Sequence, residues 1–70
     1  MDWARVVGGN IRRLRTERGL SQEEVAHRVG VVTTYLGQIE RGRRNPTIGV
    51  LARIANALDV RLVELINDGT

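Results

Sequence analysis

An all-α domain of five short helices is the architecture this sequence predicts, and three observations predict it. Apolar residues recur at steps of three and four, and no stretch has the residue-by-residue alternation of a half-buried strand. Helix starts and stops are spelled out by Asp2, Gly19, Ser21, Gly30 and Thr47. Seventy residues also allow only one domain, residues 1–70, with a core small enough to need close helix packing or a partner's surface.

Asp2 can cap a first helix beginning at Trp3, with Val7, Ile11 and Leu14 as its buried stripe and Arg5, Arg12, Arg13 and Glu17 outside it. Gly8 and Gly9 interrupt the pattern. Two interior glycines cost about 1 kcal/mol each relative to Ala, so the helix is expected to fray before Asn10 or to start later. Gly19 ends it in a left-handed conformation. Trp3 reads as a packing anchor, against the last helix or against a second subunit.

The second helix has a complete start signal: Ser21 as N-cap, Glu24 closing a capping box, and Leu20 with Val25 as a hydrophobic staple. Val25, Ala26 and Val29 share its inner face, and Gly30 turns the chain. From Val32 a third helical pattern begins, with Leu36 and Ile39 buried and Thr33, Thr34, Gly37, Gln38 and Arg41 on other faces. Val32 lacks the hydroxyl or carboxylate of a good N-cap, a loss of roughly 1 kcal/mol, so this helix is expected to start one residue late at Thr33.

Arg41-Gly42-Arg43-Arg44-Asn45-Pro46 follows as a basic loop. Thr47 caps a fourth helix carrying Ile48, Leu51, Ile54, Ala55 and Leu58. Asp59 stands at its end in a position that favours a left-handed residue, which Asp adopts more readily than most. Val60, Leu62, Leu65 and Ile66 make a short fifth helix, and residues 67–70 are expected to be ragged.

The run Gln22, Val25, Ala26, Val29, Gly30, Val31, Leu36, Ile39 and Glu40 resembles the helix-turn-helix of the phage-repressor-like, or xenobiotic-response-element, transcription regulators. The likeness continues through Arg41 to Pro46 and on to Leu65, and the segment from Thr34 to Thr47 looks most like small repressors and restriction-modification controller proteins. It implies a lambda-repressor-like domain that reads the DNA major groove with its third helix. Base contacts carry over onto Thr33, Thr34, Gly37 and Gln38, and phosphate contact at the helix 2 start onto Gln22. Arg15 and Glu40 resemble a salt bridge that joins the first and third helices in that family.

The chemistry of these side chains agrees with that implication. A Gln38 amide can pair with adenine N6 and N7 or serve other base edges, and threonines can reach base edges or a thymine methyl. Gly37 permits close backbone approach to DNA, or is simply a tolerated small residue. Tyr35 can pack its ring and reach a phosphate with its hydroxyl. Arg41, Arg43, Arg44 and Asn45 suit the sugar-phosphate backbone, which sets position and affinity rather than sequence.

The net charge of +3 comes from arginine alone, and its distribution matters more than its size. Residues 1–20 hold five Arg against two acids, whereas residues 45–70 hold two Arg against three acids. That asymmetry suits a polyanion. With no cysteine and one histidine, neither a disulfide nor a zinc site is expected, and no cofactor or small-molecule effector is evident. No stretch reads as a signal peptide or membrane span, so a cytoplasmic protein is expected. No nucleophile–base arrangement or phosphate loop points to an enzyme.

Family members commonly act as two-fold dimers on paired half-sites. A homodimer on a duplex DNA operator is therefore expected, with Val60, Leu62, Val63 and Ile66 as the contact. The competing reading is a protein-binding module of the same fold, an antitoxin or an adaptor. Steep salt dependence of DNA binding would separate the two.

Overall fold

In a computed structural model that describes residues 1–69, the chain forms α1 (Trp3–Glu17), α2 (Gln22–Val29), α3 (Thr33–Glu40), α4 (Ile48–Leu58) and α5 (Leu62–Ile66). No strand occurs among the described residues. α1 packs against both α3 and α5, while α2 lies against α3 and α4. The core they enclose includes Ile11, Val25, Leu36, Ile39, Ile54, Leu58 and Leu65, all sealed from solvent.

Local punctuation accounts for most of the helix ends. Asp2 accepts the Arg5 amide, Thr47 accepts the Val50 amide, and Ser21 and Glu24 complete a reciprocal box. In that box the Ser21 amide, followed by its hydroxyl and the charge of Arg28, holds the Glu24 carboxyl below the usual range. α3 begins at Thr33 with Val32 as an N-cap that makes no side-chain hydrogen bond, as its apolar side chain requires.

The stops of α1 to α4 use the same device, whereas α5 ends at Asn67 in extended backbone. After α4, Asp59 takes the left-handed conformation at φ 56°, the Asp59 amide returns to Asn56 and the Val60 amide to Ala55. Gly19 and Gly30 occupy the corresponding positions after α1 and α2, at φ 67° and 86°.

The start of α1 departs from expectation. The helix is continuous from Trp3 through both glycines, because Gly8 is buried where α1 crosses the C-terminal end of α3. A Cβ on Gly8 would overlap the Ile39 carbonyl oxygen and stand 2.8 Å from that of Glu40, whereas one on Gly9 would meet nothing within 4 Å. Gly8 therefore sets a helix–helix distance, and only Gly9 is a propensity defect. Trp3 is 51% exposed and lies outside the core, so it is not an anchor buried against α5.

The end of the chain is also better held than its composition suggests. Asn10 donates from Nδ2 to the carbonyls of Leu65 and Asn67, at 2.9 and 2.7 Å, which ties the exit of α5 to the middle of α1. The Asn67 side chain in turn accepts the Gly69 amide. Of the terminus expected to be ragged, residues 67–69 carry these bonds, and Thr70 lies outside the described residues.

Candidate nucleic-acid interface

α3 is eight residues long, a rod of about 12 Å at the usual rise, and its inner face is fixed by Leu36 and Ile39 in the core. Helical spacing then places the remaining side chains on or beside the outer surface. Thr34 is exposed, while Thr33, Tyr35 and Gln38 are half-buried. Gly37 differs from these three in being covered. Arg41 Nη1 would lie 3.3 Å from a Cβ there and the Gln22 amide 3.6 Å, so two flexible side chains roof it.

The basic loop is aimed by the way α3 stops. Gly42 sits at φ 75°, its amide returns to Ile39 and the Arg43 amide to Gln38, a turn that folds the loop back beside the helix it leaves. Any side chain at Gly42 would press on α1, with a Cβ 3.0 Å from the Arg5 Cα. Arg41, Arg43, Arg44 and Asn45 emerge exposed from this turn. Arg5, exposed on α1 beside Gly42, extends the basic surface. Its contact with the loop depends on tertiary packing, and nothing in the spacing of α1 marks it apart from Arg12 or Arg13. Arg13 pairs with Glu17 at 3.4 Å.

Arg44 does not simply project outward. Its Nη1 donates to Gln38 Oε1 at 3.3 Å, and its guanidinium carbon stands 5.2 Å from the centroid of the Tyr35 ring.

Beneath this surface a buried polar network locks α3 to α1 and α2. Arg15 donates from Nε and Nη2 to the two oxygens of Glu40, at 2.7 and 3.0 Å, and from Nη1 to the Leu20 carbonyl at 2.8 Å. Gln22 Nε2 adds a further bond to Glu40 Oε1 at 2.9 Å. Gln22 is thus engaged with the network as well as positioned at the first turn of α2, where the helix dipole favours an anion. No buried side-chain polar atom among the described residues is left without a partner.

The four residues expected at a dimer contact divide into two pairs. Leu62 lies one turn before the buried Leu65 and packs with Val60 on the molecule's own core, so neither is surplus apolar surface. Val63 and Ile66, also one turn apart, occupy the other side of α5 and are 52% and 44% exposed. No group of His, Cys, Asp and Glu among the described residues is arranged to hold a metal ion, and no helix is long and apolar enough to cross a membrane.

Comparison with known proteins places this geometry. A family described as helix-turn-helix matches residues 11–65. An uncharacterised HTH-type transcriptional regulator of Sinorhizobium fredii, y4dJ, is 53% identical over 66 residues, which are 94% of this chain and 86% of that protein. Among solved structures, the restriction-modification controller protein C.AhdI of Aeromonas hydrophila superposes with a TM-score of 0.86 at 40% identity, covering 89% of this chain and 94% of that one. SinR, a master regulator for biofilm formation solved in complex with DNA, superposes with a TM-score of 0.82 at 37% identity, covering 87% and 98%. The capped α2, the turn at Gly30 and the outward α3 are the motif for which that family is named, and the chain belongs to the helix-turn-helix transcriptional regulators, phage-repressor-like proteins that include restriction-modification controllers.

Proposed function

We propose that this protein binds its operator as a homodimer, each copy laying α3 in the major groove of one half-site. Thr33, Thr34 and Gln38 face base edges in this reading, with the Gly37 backbone behind them. Gln22, Tyr35, Arg41, Arg43 and Asn45 hold sugar-phosphate on either side. The observation that carries the reading is one surface on which a short helix offers Thr34 and Gln38 while its own terminating turn delivers three exposed arginines. A groove about 12 Å wide admits such a helix, and guanidiniums beside it meet the phosphates that flank the bases.

In a two-fold dimer the half-sites lie about one helical turn apart, ~34 Å, and the exposed Val63 and Ile66 supply the contact between copies. The protein works in the cytoplasm, on DNA, without a cofactor and without chemistry on its ligand.

Binding to duplex DNA from upstream of its own gene, followed by fluorescence anisotropy across a salt series, tests this. Affinity should fall steeply with salt, and Arg43→Ala should weaken all sequences alike and flatten the log–log slope by about 1. Affinity indifferent to salt would favour a protein partner for the same surface. Sedimentation at micromolar concentration should show a dimer that Val63→Glu dissociates; a parent protein found only as monomer, with and without operator, rejects the two-fold arrangement.

A further inference from the structure

By composition Arg44 belongs with the phosphate-gripping arginines, yet its guanidinium is turned back over α3 and away from the role its neighbours take. It meets two residues of the reading surface at once, Gln38 through a 3.3 Å hydrogen bond to Oε1 and Tyr35 through a ring centroid 5.2 Å away. Tyr35 is half-buried against the core, so the platform under Arg44 is fixed to the body of the protein.

A guanidinium has N–H groups and no acceptor, so the amide beside it must present its oxygen, and both hydrogens of Gln38 Nε2 then point the other way. A glutamine free to rotate can read adenine by accepting from N6 while donating to N7. One whose oxygen is turned toward Arg44 keeps its second lone pair on the guanidinium's side and presents its two donors on the other, where they suit the O6 and N7 acceptors of guanine.

We propose that Arg44 is a positioning residue for base reading: seated on Tyr35, it holds the Gln38 amide so that Gln38 selects guanine over adenine. This rests on α3 entering the major groove as proposed above, and its failure is separable from failure of that reading. The probe is a randomised duplex DNA pool, from which bound molecules are selected and sequenced for the parent protein, Gln38→Ala, Arg44→Ala and Arg44→Lys. The base position whose preference disappears in Gln38→Ala is the one that Gln38 reads.

At that position the parent should prefer guanine to adenine by about tenfold, and Arg44→Ala should bring the two within about twofold. Arg44→Lys keeps the charge and most of the salt dependence but has no planar fork to stack on the ring, so it too should lose the preference. Arg44 is exposed, and circular dichroism should find each of its variants folded like the parent. If Arg44→Ala weakens every sequence equally and leaves the guanine preference intact, Arg44 is a phosphate grip and the proposal is overturned. A parent preference for adenine there, or a selection in which Gln38→Ala changes no position, overturns it as well. A pool from which the parent enriches nothing sinks the DNA-reading function itself, and this inference falls with it.

Discussion

Glu40→Ala should remove about 3–5 kcal/mol of the protein's folding stability. The carboxylate is 2% exposed and accepts three hydrogen bonds, two of them from an Arg15 side chain that is itself only 11% exposed. Without Glu40, the Arg15 guanidinium keeps only the Leu20 carbonyl, in a place closed to water. Removing one partner of such a buried pair costs about 3–5 kcal/mol, because the charge left behind is uncompensated. A chain of this length has a total stability of roughly 4–10 kcal/mol, so the loss is a large part of the whole.

Urea unfolding followed by circular dichroism measures it. The exposed pair Arg13–Glu17, with both side chains more than half exposed at 55% and 54%, is the control, and Glu17→Ala should change stability by less than about 1 kcal/mol. Replacing both buried partners, Arg15→Met with Glu40→Leu, should recover most of the stability, since no charge remains to be solvated. A Glu40→Ala midpoint indistinguishable from that of Glu17→Ala would mean that the network contributes no more than a surface bridge.

That network also marks the limit of what the residues disclose by themselves. Caps are local: Ser21 and Glu24 are three positions apart, and so are Thr47 and the Val50 amide it receives, so helix boundaries could be read from the chain. The lack of a side-chain cap at Val32 was legible for the same reason, as was the start of α3 at Thr33. Arg15 and Glu40 are 25 residues apart and Asn10 lies 55 from Leu65, and no periodicity links such positions. The first pairing was available only through family resemblance, and the second was not available at all. The reading surface shows the same division: Thr34 and Gln38 follow from helical spacing, whereas the turn of Arg44 back onto Gln38 and Tyr35 depends on how α3 ends.

Gly8→Ala and Gly9→Ala should move stability in opposite directions, although by propensity alone both would stabilise α1 by about 0.5–1 kcal/mol. At Gly9 a methyl group meets nothing within 4 Å, so the full gain is expected there. At Gly8 it meets the carbonyls of Ile39 and Glu40, which are backbone atoms at the end of α3 and cannot rotate aside as a side chain would. Relief requires α1 and α3 to separate, which strains the Arg15–Glu40 bonds and loosens the packing of Val7 and Ile11 on the same face of α1. Overpacking of this kind costs about 1–3 kcal/mol or more. With no soft neighbour available, the upper end applies, for a net loss near 2 kcal/mol after the propensity gain.

In a domain of this size each kcal/mol shifts the thermal midpoint by about 4–8 °C. Gly9→Ala should therefore melt several degrees higher than the parent and Gly8→Ala about 10 °C lower. The Gly8 variant should also bind DNA more weakly at temperatures where it is still folded, because the turn that delivers Arg41, Arg43 and Arg44 begins where α3 has been displaced. Two variants that both melt above the parent would mean that α1 and α3 are not in backbone contact, and the geometry derived for the reading surface would have to be abandoned with them.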